Sequence, residues 1–302
     1  MTQHYSVITC PVDGGDLTAA IWAPESPPLG TILLIHGITA SHMSWPLIAA
    51  AFPQYRVIAP DLRGRGGSRD LPEPFGMPQH AADINALMDA TATESALVVG
   101  HSMGGFVAAA FAARHPQRVS GLVLIDGGLP IPAPEGTSRE ELPQVILGPA
   151  AERLSMTFPD RASYQQFWAQ HPAFENSFTP AVLDYVNYDL VGTEPALHPA
   201  SNIAAVSFDA LQLSGDTEYR AALNELSMPV HFIRAPRGLL NQVPALYSPE
   251  QCDQWRSELP HVKFHEAPDV NHYTITLTQR GADVVAGVMG ELLTNQPREV
   301  RT

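Results

Sequence analysis

Residues 96–115 constrain this chain more than any other stretch. Ala96-Leu97-Val98-Val99-Gly100 is a continuous apolar run of strand length, and Phe106-Val107-Ala108-Ala109-Ala110-Phe111-Ala112-Ala113 has the composition of a helix. A strand with no polar face has to be covered on both sides, as in a parallel sheet flanked by helices. The turn between them, Gly100-His101-Ser102-Met103-Gly104, has the spacing G-x-S-x-G. A serine on so sharp a strand-to-helix turn sits in a strained backbone conformation, and side chains two positions away on either side would strike neighbouring strands. Glycine at both places removes that clash. The helix that begins beyond Ser102 aims its free N–H groups and the positive end of its dipole at any negative charge formed there. Ser102 is therefore the candidate nucleophile.

The rest of the chain repeats the alternation that this unit implies. Val7 to Cys10 and Leu17 to Trp22 flank Asp13-Gly14-Gly15-Asp16, which predicts an antiparallel hairpin. Thr31 to His36, Arg56 to Pro60 and Gly121 to Ile125 are further apolar runs of strand length, separated by helical patterns at Ser44 to Ala51, Pro78 to Ala90 and Gly105 to His115. Strands alternating with helices predict an α/β fold with a mostly parallel, doubly wound, eight-stranded sheet. The alternation stops at Gly128. Leu129 to Pro149 is rich in Pro and Gly, with Pro130, Pro132 and Pro134 suggesting a stiff hinge, and Ala150 to about Leu226 reads as helices and loops without a convincing strand. Strand character returns at Pro229 to Arg234 and Val262 to Glu266, before a last helix from about Gly281 to Leu293 and a frayed tail, Asn295 to Thr302. The expected organisation is a core of residues 1–128 and 227–302 interrupted by a helical cap over 129–226.

Composition excludes several functions. The chain is 45% hydrophobic and 16% charged, enough apolar material for a large core and too few charges for disorder. A formal net charge of −14, with only 17 Lys and Arg spread thinly over 302 residues, argues against a nucleic-acid partner. Met1 to Ser6 lacks a basic n-region and an apolar h-region, and no apolar run is long enough to span a bilayer, so no membrane span and a cytoplasmic location are expected. Cys10 and Cys252 lie outside any CxxC pair, which predicts two reduced thiols. His/Asp/Glu groups with metal-ligand spacing and a phosphate-cradling G-x-x-x-x-G-K are absent from the sequence, so neither metal nor organic cofactor is expected. Nothing in the sequence specifies an oligomeric state.

Around the serine turn the chain resembles the α/β-hydrolase superfamily, in particular its esterase and epoxide-hydrolase-like branch with a helical cap. His36-Gly37-Ile38 after the third strand is similar to the oxyanion loop, and Asp61-Leu62-Arg63-Gly64-Arg65-Gly66-Gly67-Ser68 is similar to the turn after the fourth. The resemblance implies backbone N–H groups of Ile38 and Met103 as oxyanion donors, and a nucleophile, acid, histidine order along the chain. His272, in Asp269-Val270-Asn271-His272-Tyr273-Thr274 after the final strand, fits the last role. Many relatives carry an aspartate three residues after a glycine beyond the seventh sheet strand, but here Gly238 is followed by Leu239-Leu240-Asn241. An amide does not stabilise an imidazolium as a carboxylate does. Some members take the acid from the end of the sixth strand, where Leu122-Val123-Leu124-Ile125-Asp126-Gly127 supplies Asp126, and this is the preferred assignment; Asn241, Asp253 and Asp269 are alternatives. A serine, where dehalogenases and epoxide hydrolases place an aspartate, disfavours those two chemistries.

The expected reaction is attack of Ser102 Oγ on a carbonyl carbon with His272 as base, followed by hydrolysis of an acyl-enzyme. Phe158, Tyr164, Phe167, Trp168, Phe174, Phe178, Tyr185 and Tyr188 crowd into one part of the cap, which could cover an apolar substrate or simply pack cap helices. Phe158, Trp168 and Tyr188, with Met43 and Trp45 beyond the oxyanion loop, are the candidate substrate contacts. A small hydrophobic ester or lactone is the expected substrate. A C–C bond hydrolase, a perhydrolase, or a non-catalytic ligand-binding protein on the same scaffold are the alternatives.

Overall fold

The structure, a computed structural model, describes residues 5–131, 141 and 148–294. Eight strands form one sheet in the order β1-β2-β4-β3-β5-β6-β9-β10: β1 Ser6–Val12, β2 Gly15–Trp22, β3 Thr31–Ile35, β4 Arg56–Pro60, β5 Ala96–His101, β6 Val119–Ile125, β9 Val230–Arg234 and β10 Val262–Glu266. β1 and β2 pair antiparallel across the Gly14–Gly15 turn, β2 pairs antiparallel with β4, and every pairing from β4 to β10 is parallel. The sheet is the mostly parallel, doubly wound one that the apolar runs imply.

Strand alternation explains why those runs have no polar face. Leu33 and Ile35 of β3, Val98 of β5 and Leu122 and Leu124 of β6 point into one core, with helices α2 (Met77–Ala90) and α3 (Met103–Arg114). Ile32, Leu34, Leu97, Val99, Val123 and Ile125 point into a second core on the other face, against α1 (Pro46–Ala50) and the C-terminal helix Gln279–Thr294. Each central strand thus buries both faces, the arrangement that parallel sheets require. Helix α3 is buried from Met103 to Ala112, so its alanines let it lie against the sheet on one side and its covering helices on the other.

Between β6 and β9 the chain forms helices at Pro149–Leu154, Arg161–Ala169, Pro180–Tyr188, Ile203–Ala210 and Thr217–Asn224. The expectation that this segment has no strand is corrected: Leu190–Val191 (β7) and His198–Pro199 (β8) form a small antiparallel ribbon, and Phe158 bridges Leu197 beside it. Two-residue strands carry no readable periodicity. Pro132 and Pro134 of the expected hinge, and the tail 295–302, lie outside the described residues. Among the described residues no helix is long and apolar enough to cross a membrane.

The segment is fastened to the sheet by buried charge. Arg65, fully buried in the turn after β4, places Nη1 2.6 Å from Asp209 Oδ2 in the Ile203–Ala210 helix, and His80 Nε2 of α2 lies 2.9 Å from the same oxygen. Asp61 is a second tie. Burial alone would raise its pKa, but His42, whose Nδ1 is 2.9 Å from Oδ1, and Tyr188, whose hydroxyl donates to Oδ2 at 2.6 Å, hold it below the usual carboxylate range. Removing one member of a buried ion pair leaves an uncompensated charge, so Asp209→Ala is expected to cost about 3–5 kcal/mol. The check is the urea midpoint at unchanged m-value; a loss below about 1 kcal/mol would show that the Arg65 cation finds other compensation.

Candidate active site

The carboxyl ends of the parallel strands gather the candidate residues at one edge of the sheet, where open α/β sheets bind ligands. Ser102 follows β5 with φ 55° and ψ −126°, outside the regions that L-residues favour. Three glycines make this conformation possible. A Cβ on Gly100 would lie 2.1 Å from the Gly104 carbonyl oxygen, one on Gly104 2.1 Å from that of Ile35, and one on Gly127 2.1 Å from that of Ser102 itself. The turn is pinned by Ser102 N–H donating to Ile125 O and Gly105 N–H to Ser102 O, each at 2.9 Å. Strain of about 1–3 kcal/mol persists only where the surroundings over-determine it, as they do here.

Asp126 lies at the end of β6, fully buried, with φ 43°. Its Oδ1 accepts from the Ala235 N–H at 3.0 Å, and its Oδ2 lies 2.7 Å from Nδ1 of His272. A carboxylate only accepts, so Nδ1 carries a proton, and in the neutral ring Nε2 is the acceptor. The His272 backbone is held from both sides, its N–H donating to Arg237 O at 3.1 Å and its carbonyl 2.9 Å from Nε2 of His101. Burial, and then the neighbouring His272, push the His101 pKa well down, so His101 is a neutral donor to that carbonyl. Asn241, the alternative acid position, is engaged elsewhere: its Oδ1 accepts from Arg237 Nε at 2.7 Å and from Asn271 Nδ2 at 3.2 Å.

The loop after β3 closes on the serine from the other side. A Cβ on Gly37 would come within 3.2 Å of Ser102 Cβ, so the absence of a side chain lets the loop approach. His36 braces the loop, its Nδ1–H donating to Gly37 O at 2.7 Å while Nε2 accepts from the Leu62 N–H at 2.9 Å. Burial pushes its pKa down to about 4, which keeps Nε2 an acceptor. Arg65 Nε donates to the Ile38 carbonyl at 2.8 Å and anchors that peptide. Met103 begins α3, so its N–H belongs to the first-turn donors that have no intrahelical acceptor.

Ser102, His272 and Ile38 line one cavity, walled by Ile131, Leu213, Leu239, Leu246 and Leu277 and by the rings of Tyr185 and Tyr273. The five substrate contacts expected from sequence are not among its lining residues. Trp45 is fully buried in the core between the sheet and α1, and Met43 packs beside the segment's aromatic cluster, where its sulfur accepts from the Tyr5 hydroxyl. Phe158 and Trp168 are interior to that cluster, Trp168 lying under the Arg153 guanidinium, and Tyr188 is spent on Asp61. The aromatics mostly pack against one another. Sequence reasoning missed Tyr273 and Leu239 as cavity walls, although one adjoins His272 and the other follows β9. Among the described residues His231, His265 and Glu291, outside the cavity and far apart in sequence, bring ligand atoms within 4.8 Å of one another.

Comparison with known proteins agrees with this architecture. Lipase LipV of Mycobacterium tuberculosis is 34% identical over 132 residues, 44% of this chain and 48% of that protein. Epoxide hydrolase B of the same organism is 31% identical over 178 residues, 56% of this chain and again 48% of the relative. The chain therefore spans about half the length of these curated relatives. Among solved structures, E-2-(acetamidomethylene)succinate hydrolase superposes with a TM-score of 0.74 at 22% identity, covering 96% of this chain and all of that one. The family model described as alpha/beta hydrolase fold matches residues 30–276, from the strand before the Gly37 loop to the segment bearing His272, and the chain belongs to that family.

Proposed function

We propose that the protein is a serine hydrolase that cleaves a carboxylic ester or lactone of a small hydrophobic molecule through an acyl-enzyme, with residues 129–226 as its cap. The observation that carries this reading is the 2.7 Å contact between Asp126 Oδ2 and His272 Nδ1 on the cavity that holds Ser102. With Nδ1 committed to the carboxylate, Nε2 is the base that takes the Ser102 proton as Oγ attacks the carbonyl carbon, and Asp126 stabilises the imidazolium. The oxyanion sits between the Ile38 and Met103 N–H groups, at the N-terminus of α3. His272 returns its proton to the leaving alkoxide, which departs as the alcohol. It then deprotonates a water that attacks the acyl carbon, and collapse releases the carboxylic acid and restores the Ser102 hydroxyl. The aliphatic walls supported by Tyr185 and Tyr273 suit an apolar acyl or alkoxy group. Cys10 and Cys252 are buried free thiols, which fits a cytoplasmic setting.

Turnover of short p-nitrophenyl esters tests the nucleophile. Ser102→Ala is expected to lower kcat by about 10⁶-fold while the circular dichroism spectrum is unchanged. Retained turnover would remove the serine route, and ligand binding without turnover by the wild type would favour a binding protein. A panel of esters, lactones and vinylogous diketones separates ester from C–C cleavage, and added hydrogen peroxide reveals perhydrolysis.

A paired substitution tests the acid. Asp126→Asn is expected to lower kcat by about 10⁴-fold, since an amide selects the wrong imidazole tautomer. Asn241→Ala is expected to stay within about tenfold of wild type, because Asn241 reaches His272 only through Arg237 and Asn271. The reverse ranking, in folded proteins, would move the acid away from the end of β6.

A further inference from the structure

On the far side of the sheet from α3, parallel pairing of β9 with β10 places His231 opposite Lys263 and His265 opposite Ile233. The four side chains share the face that buries Ile233 against the C-terminal helix. Nδ1 of His231 and Nε2 of His265 face each other at 3.1 Å, with the rings stacked at 27°. The helix Gln279–Thr294 presents Glu291 to the same spot, and one ligand atom from each of the three residues lies within 4.8 Å of the others.

We infer that His231, His265 and Glu291 form a binding site for a divalent transition-metal ion of zinc-like character. Two imidazole nitrogens bound at about 2.0–2.1 Å in a tetrahedral site lie about 3.3 Å apart, so the existing separation needs only a small opening. The remaining approach is made by the Glu291 carboxylate, half exposed near the helix end. The donor set, two neutral imidazoles and a carboxylate, suits Zn²⁺, Co²⁺ or Ni²⁺, with a water completing the shell. The 3.1 Å contact between the two nitrogens is a hydrogen bond in which one ring carries the proton, and metal binding displaces that proton. The backbone is already organised: His231 and His265 sit on paired strands, and Val285, Val288 and Leu292 seat the helix. Lys263, whose Nζ is 2.6 Å from Glu291 Oε2, is the built-in competitor that the ion displaces. A metal here would tie the edge strand to the last helix. None of the three residues lines the cavity of Ser102, so this site is independent of the proposed hydrolysis.

Co²⁺ titration of the chelator-treated full chain, followed by its visible ligand-field bands and by Zn²⁺ displacement, tests the site. Wild type is expected to take up one equivalent with a tetrahedral spectrum and to show a Zn²⁺-dependent rise in Tm. His265→Gln and Glu291→Gln, both on the accessible side, should each weaken binding by at least about tenfold. Equal Co²⁺ spectra in wild type and His265→Gln, or no uptake by wild type, would overturn the inference.

Discussion

The geometry of the candidate site rests on backbone touching backbone. Gly100, Gly104 and Gly127 meet where β3, β5 and β6 end, and at each the nearest atoms to an added Cβ are main-chain atoms at 2.1 Å. Main chain cannot swing aside as a flexible side chain can, so the three strand ends and the start of α3 form one rigid knot. Ser102 holds its unusual φ and ψ because that knot leaves it no other conformation. The sheet below supplies the rigidity: its central strands bury Leu33, Val98 and Leu122 on one face and Leu34, Val99 and Val123 on the other.

Polar groups then orient what the knot positions. His36, His101 and His272 are three buried imidazoles within one site, and each has its tautomer set by a different kind of partner: a backbone N–H for His36, a carbonyl for His101, a carboxylate for His272. His101 and His272 both line the cavity, but only His272 has a carboxylate on its ring. The distinction lies in hydrogen-bond partners rather than in residue type, which is why a histidine count along the chain is uninformative.

Features that depend on local pattern were legible in the sequence, and features that depend on distant packing were not. The hairpin, the apolar strands and the glycine-flanked serine each follow from a few consecutive residues. Asp126 stood out because Asn241 occupies the customary acid position and the family resemblance offers the end of the sixth strand as another place for an acid. The cavity lining was not legible, since an aromatic at a given spacing does not reveal which neighbour it meets: Trp168 faces Tyr164, Phe174 and Tyr185 and is not among the lining residues. The β7–β8 ribbon was too short to read. His231 and His265 are separated by 34 positions and meet only through the parallel register of two strands, which no sequence motif encodes.

Arg65 joins two parts of the molecule that a domain description would separate. Its Nε holds the carbonyl of Ile38 in the loop beside Ser102, while its Nη1 holds Asp209 in the helix Ile203–Ala210, between β6 and β9. One rigid, planar cation therefore works as a strut between loop and helix. That helix cannot swing outward as an independent flap without dragging the peptide beside the serine or stripping a buried guanidinium of its counter-charge. Any widening of the cavity is thereby steered away from Ile203–Ala210 and towards the parts of the β6–β9 connection that this strut does not hold.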